Sequence, residues 1–157
     1  MFGRKKGIKG WISSPVKGES IILDNVEDEV FASKMVGDGI AVSPESGDFV
    51  SPCDGRVAGV AKTAHAYNII TKDGLEVLVH IGLDTVELKG EGFEPKVSEG
   101  DTVKRGDALC RADLELIKNK GFSTVTPVII SNISDVSFFD TRNGRVEKGD
   151  VLIDYII

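Results

Sequence analysis

Turn-forming residues recur along this chain too closely for long helices to fit between them. Eighteen of its 157 residues are glycine and five are proline. Together with Asp and Asn they cut the sequence into short β-branched runs at 20–23, 40–42, 56–61, 68–71, 76–81 and 128–130. Such runs between Gly, Pro, Asp and Asn clusters read as strands. Many of them in one chain predict an all-β protein, a sandwich or a barrel. One stretch, 113–120, carries Leu114 and Ile117 at helical spacing with Gly121 as a stop, so a short helix is expected there.

The only two histidines, His65 and His80, flank an Asp73-Gly74 dipeptide between alternating apolar runs. Asp-Gly in that setting predicts a two-residue hairpin turn, because both central residues of a type I′ turn need positive φ. Closing the turn there sets Lys72 opposite Leu75 and His80 opposite Tyr67. His65 then lies two residues further along the face of Tyr67, a diagonal neighbour of His80. Ile70, Val77, Val79 and Ile81 form the opposite, core-facing side, and Tyr67, Ile69 and Leu78 share the histidine face. This pattern supports two readings equally, a site built on two imidazoles or a polar surface pair. A one-residue slip would change every facing.

Weak internal repetition points to a sandwich of two interlocked, pseudo-symmetric halves. Ser14-Pro15-Val16-Lys17-Gly18 resembles Ser51-Pro52-Cys53-Asp54-Gly55, and Val97-Ser98-Glu99-Gly100-Asp101 resembles Val146-Glu147-Lys148-Gly149-Asp150. A second turn, Asn143-Gly144, predicts a C-terminal hairpin leading into 151–157.

Composition narrows the function classes. Apolar residues are 41% and charged residues 28%, as in an ordinary globular chain of one domain. Apolar runs are only a few residues long, so the sequence predicts neither a transmembrane helix nor a secretory leader, and a cytoplasmic protein. Net charge is −6, yet Arg4, Lys5, Lys6 and Lys9 crowd the start with no acid among them. The acidic remainder argues against nucleic acid and suits docking onto basic protein surfaces. Residues 1–11 read as a basic, flexible arm, which with Phe2, Ile8 and Trp11 predicts at most weak contact with an anionic membrane. Residues 12–157 read as the folded domain. Cys53 and Cys110 lack metal-ligand neighbours and read as separate reduced thiols.

The segment 78–93, beginning Leu78-Val79-His80-Ile81-Gly82-Leu83-Asp84-Thr85-Val86, closely resembles the active-site signature of the glucose-type IIA proteins of the bacterial phosphoenolpyruvate-dependent sugar phosphotransferase system. Val36-Gly37-Asp38-Gly39-Ile40-Ala41 resembles that family's Gly-Asp-Gly turn. Thr63-Ala64-His65-Ala66-Tyr67 matches its Thr-x-His-Ala-aromatic stretch, and Thr126-Pro127-Val128-Ile129-Ile130-Ser131-Asn132 its late strand. The likeness runs from about residue 12 to 156, and several motifs in order make it specific. Ala61 and Leu78 stand where some relatives carry phenylalanine, which predicts a flatter docking rim.

The resemblance implies an antiparallel β-sandwich built from a duplicated motif, similar to a barrel-sandwich hybrid, with at most short helical turns. It implies a phosphotransferase component, cytoplasmic, acting in sugar uptake as a stand-alone chain. His80 would take a phosphoryl group on Nε2 from the phosphocarrier protein HPr and pass it to a cysteine of a permease IIB domain. His65 would support the transfer and Thr63 would orient His65. Phe31, Met35, Val36, Leu78 and Val86 match positions that rim the site and dock partners. Asp84, opposite Thr63 in the expected register, reads either as a group that holds His80 or binds a basic partner, or as a turn residue after Gly82. No cofactor is required.

Three other readings stay in view. A regulatory module would keep His80 and bind other cytoplasmic proteins according to its phosphorylation state. A zinc hydrolase of related fold would use His65 and His80 as ligands, with Asp84 as a third or a partner supplying one; a catalytic zinc needs three. The Gly-Asp run at 97–109 also resembles biotinyl and lipoyl carriers, but the nearest echo of their modified lysine, Ser33-Lys34-Met35, lies upstream of it.

Overall fold

A computed structural model describes residues 7–157. Its main layer is an eight-stranded antiparallel sheet, in the order β13-β2-β3-β11-β7-β6-β5-β9. These strands are β2 (Gly18–Ile22), β3 (Asp38–Pro44), β5 (Gly55–Val60), β6 (Ala66–Ile70), β7 (Glu76–His80), β9 (Thr102–Val103), β11 (Thr126–Ile130) and β13 (Arg145–Val146). Two three-stranded sheets complete the sandwich. One orders β1 (Lys9–Ser13), β14 (Val151–Ile156) and β12 (Phe138–Thr141); the other orders β4 (Asp48–Val50), β10 (Ala108–Ala112) and β8 (Phe93–Pro95). The strand β1 enters the territory of the expected arm, pairing Lys9 with Ile156 and Trp11 with Asp154. Residues 9–11 of the expected arm are thus part of the folded sheet, and Ile8 O accepts the Ile157 N–H just before it; residues 1–6 lie outside the described residues.

Helices are confined to short pieces. The expected one forms as α2 (Leu114–Asn119): the Asp113 carboxylate accepts the Leu116 N–H, and Gly121 leaves it at a φ of +91°. A single turn, α1 (Glu29–Ala32), opens with the Asp28 carboxylate accepting the N–H groups of Val30 and Phe31. Carboxylates there satisfy orphan donors and favour the positive end of the helix dipole.

The hairpin of β6 and β7 differs from the expected register by one residue. Its loop is Lys72-Asp73-Gly74 rather than Asp73-Gly74: the Thr71 N–H donates to Leu75 O (2.9 Å) and the Gly74 N–H to Thr71 O (3.0 Å), with Gly74 at a φ of +92°. Three-residue loops of this kind end on a left-handed residue that only glycine adopts freely. Distant contacts reinforce the choice. The Asn132 side chain, after β11, accepts the Glu76 N–H (2.9 Å) and donates to Gly74 O (2.8 Å). His80 consequently pairs with Ala66, and Tyr67 with Val79. Tyr67 and Ile69 are fully buried in the core with Val77 and Val79, not on the face of His80 as the two-residue turn implied. Leu78 does share that face.

The repeat is real, with one reassignment. Ser14 Oγ donates to Val16 O and Ser51 Oγ to Cys53 O, both at 2.7 Å. The Ser13 N–H donates to Pro52 O while the Val50 N–H donates to Pro15 O, a reciprocal exchange between the two halves. Ser14 N–H reaches Asp150 O and Ser51 N–H reaches Asp107 O, both at 2.7 Å. The counterpart of 146–150 is therefore 103–107, not 97–101. The Asn143-Gly144 turn closes no hairpin either. It carries the chain from β12 into β13, which pairs with β2 in the large sheet.

Two apolar clusters result. The larger fills the sandwich; the smaller, built on Leu23, Val26, Phe31, Ala41, Leu83 and Ile129, covers the outer face of the large sheet. His80 stands on that outer face.

Candidate functional site

Strand alternation delivers His80 to the outer face, because Val77 and Val79 occupy the inner one. It closes β7, and the next residues bend back beneath it. Gly82, at a φ of +81°, turns its carbonyl toward His80 Nδ1 at 2.7 Å. A Cβ at Gly82 would lie 2.5 Å from Thr85 Cγ2 and 2.8 Å from Ser123 O, so only glycine fits. A carbonyl can only accept, so Nδ1 carries the proton and the neutral ring keeps its lone pair on Nε2. Thr85 Oγ1 fastens the same bend by donating to Ile81 O (2.6 Å).

His65 approaches from the loop between β5 and β6. It is only 7% exposed, and its carbonyl accepts the Ile81 N–H at 2.7 Å, extending the ladder one step past the β6–β7 pairs. Thr63 Oγ1 lies 2.7 Å from His65 Nδ1. The two imidazole centroids are 4.9 Å apart with planes at 82°. Phe31 meets His80 edge-on at 5.0 Å, and Phe93 lies 6.4 Å from His65. The structure thus brings together His65, His80, Thr63 and Phe31.

Both rings are held toward the neutral form. Burial first, and then the neighbouring His80, push His65 down to about 4. Burial also lowers His80, opposed by the Gly82 carbonyl and the charges of Asp28 and Asp84. At neutral pH the site holds two uncharged imidazoles, one of which offers Nε2 as a nucleophile.

The remaining predicted residues fall in three groups. Asp84 is exposed, heads the 3-10 turn at Thr85–Leu88 with a φ of +59°, and makes no capping bond. It is not opposite Thr63, and it reaches His80 only through its charge. Met35 and Val86 are 74% and 52% exposed; Val36 and Leu78 pack half-buried against the smaller cluster. Phe31 is buried rather than on a rim. Asp28 was not anticipated, although an Asp immediately before a short apolar stretch is a helix-start signal. Nor were Gly82 and Phe93, whose roles depend on long-range packing. No group of three His, Cys, Asp or Glu placed to hold a metal occurs among the described residues. The two imidazoles alone fall one ligand short of a catalytic zinc site.

Residues 11–136 match a family model described as the phosphoenolpyruvate-dependent sugar phosphotransferase system, EIIA 1. The chain belongs to that family. It is 41% identical over 155 residues to the glucose-specific EIIA component of Haemophilus influenzae, covering 98% of this chain and 93% of that one. It is 44% identical over 142 residues to a glucoside-specific EIICBA component of Staphylococcus carnosus, covering 90% of this chain and 20% of that one. The chain spans about a fifth of the length of such EIICBA relatives. Among solved structures, the glucose permease IIA of Mycoplasma capricolum superposes with a TM-score of 0.89 at 40% identity, covering 94% of this chain and 96% of that one. This EIIA chain is built of β-strands with only short helices and shares the fold of that solved structure. No helix among its described residues is long and apolar enough to cross a membrane.

Proposed function

We propose that this EIIA chain is a phosphoryl carrier of the sugar phosphotransferase system, loaded on His80 Nε2 by HPr and discharged to a cysteine of a IIB domain. One observation carries the reading: the Gly82 carbonyl fixes the proton of His80 on Nδ1 and so leaves Nε2 as the free lone pair. Nε2 attacks phosphorus as the N–P bond of phospho-HPr breaks, its electron pair returning to the HPr nitrogen. The proton stays on Nδ1, hydrogen-bonded to the Gly82 carbonyl. A IIB thiolate then attacks phosphorus, and the imidazole leaves with its lone pair on Nε2. Transfer of this kind depends on in-line positioning and on donors to the phosphoryl oxygens. His65 supplies such a donor when the Thr63 hydroxyl donates to its Nδ1, which leaves the proton on Nε2.

Exposed Met35 and Val86, with Val30 at 44% exposure, give partners an apolar surface on segments flanking His80. Covering it expels water, which slows loss of the phosphoryl group by hydrolysis. The setting is the cytoplasm, where HPr and IIB domains meet, and the sugar is set by the permease.

The test incubates the protein with phosphoenolpyruvate, the first enzyme of the system and HPr, followed by intact mass and peptide mapping. One acid-labile phosphate is expected on His80. His80→Ala abolishes it; His65→Ala retains it but fails to pass it to IIB. Absence of phosphate on the wild-type chain, with HPr demonstrably phosphorylated, overturns the assignment.

A further inference from the structure

Four residues of the described chain other than glycine have positive φ, and one of them, Ala64 at +59°, sits between Thr63 and His65. Alanine has no side-chain bond with which to stabilise the left-handed region, and its Cβ crowds the following carbonyl there. A residue held so is over-determined by its surroundings. The surroundings are specific. The Ala64 N–H closes a turn onto Ala61 O at 2.7 Å. Its carbonyl accepts the hydroxyl of Tyr67 at 2.9 Å and lies 3.8 Å from the Cys110 thiol. Tyr67 is fully buried, Cys110 is 2% exposed and Ala64 is 7% exposed. Burial raises the pKa of both donors, so each keeps its proton.

The geometry points to Tyr67 as a positioning residue: its hydroxyl holds Ala64 left-handed, and that backbone conformation sets Thr63 Oγ1 against His65 Nδ1. The Thr63–His65 bond spans one residue, so the torsions of Ala64 decide whether the two side chains meet. The Tyr67 hydroxyl donates to the Ala64 carbonyl, while the imidazole Nδ1 atoms bond to Thr63 and Gly82, so Tyr67 acts through the backbone of Ala64. A phenyl ring in its place would fill the same core but leave that carbonyl to a weak thiol donor.

The inference rests on the proposed role of His65, but its first readout does not. Nitrogen-15 NMR of the full chain reports which His65 nitrogen is protonated and where the ring titrates. In Tyr67→Phe, His65 is expected to lose its single tautomer and to titrate closer to an ordinary histidine. Ala64→Gly removes the cost of positive φ, so Tyr67→Phe/Ala64→Gly should recover the wild-type tautomer and titration. Transfer of phosphate from the loaded protein to a IIB domain should follow, slowed roughly ten- to a hundredfold in Tyr67→Phe and restored in the double variant.

Should Tyr67→Phe not fold, the double variant compared with Ala64→Gly alone carries the test, and the two are expected to match. A Tyr67→Phe protein with wild-type tautomer, titration and transfer overturns the inference, leaving the hydroxyl a purely structural group. So does a double variant that stays as perturbed as Tyr67→Phe, or that differs from Ala64→Gly in His65. If the wild type takes no phosphate at all, the carrier reading fails while the NMR comparison still decides the role of Tyr67.

Discussion

His65 is a base kept from its proton by burial and by a second imidazole, and that makes it a term in the pH dependence of stability. Its folded pKa of about 4 lies below the unfolded value of 6.5. Between those values the unfolded chain binds more protons than the folded one, so stability rises with pH across the window. The favourable difference is fully present above about 6.5 and is lost as pH falls toward 4. One proton corresponds to a slope of about 1.4 kcal/mol per pH unit. Urea midpoints measured from pH 7 to pH 4.5 should therefore fall, and His65→Gln should flatten that fall. His80, also lowered, keeps some slope in the variant. An unchanged profile in His65→Gln would show that the ring is solvated enough to titrate normally.

At the scale of elements, the hairpin of β6 and β7 shows what a local motif fails to specify. Asp73-Gly74 marked the turn correctly, but the loop takes one residue more because Asn132, in a distant part of the chain, binds both Glu76 and Gly74. That single slip moved Tyr67 and Ile69 into the core, while the pairing of His65 with His80 survived because His65 lies beyond the regular ladder. The same holds at α1, whose four residues set Phe31 against His80. Asp28 serves this turn twice, as its cap and as a negative charge that raises the pKa of His80. The two roles separate by substitution. Asp28→Ala should cost about 1 kcal/mol through the lost cap and lower the titration of His80. Asp28→Asn keeps an accepting oxygen, so stability should hold while His80 still titrates lower. Urea unfolding and histidine NMR read the two effects; an unmoved His80 in Asp28→Asn would assign the charge effect to Asp84.

For the whole molecule, the duplication was legible in its two Ser-Pro loops, whose hydroxyls bond locally to Val16 O and Cys53 O. It was not legible in its Gly-Asp turns, because 97–101, 103–107 and 146–150 all close the same local bond and only long-range contacts tell them apart. Nor were short strands such as β4, β8 and β12 legible, since three or four residues show no period and gain their ladder only from partners far along the chain. The two halves are also unequal where they meet. Arg105 and Lys148 occupy equivalent turn positions in 103–107 and 146–150. The Arg105 guanidinium donates to Pro52 O (2.7 Å), Ser13 Oγ (3.2 Å) and Trp11 O (3.1 Å), and stacks 3.5 Å over the Trp11 ring. Lys148 is exposed. One guanidinium therefore ties β1 to the loop at Pro52 across the seam, using a planar fork that an ammonium group cannot reproduce. Arg105→Lys should lower stability by about 1.5–3 kcal/mol, the range for hydrogen bonds involving a charged group, whereas Lys148→Ala should stay within about 0.5 kcal/mol as an ordinary surface change. Urea midpoints at constant m-value measure both. Equal, small effects would mean that the reciprocal backbone bonds between Ser13, Pro52, Val50 and Pro15 hold the seam without help, and that Arg105 only decorates it.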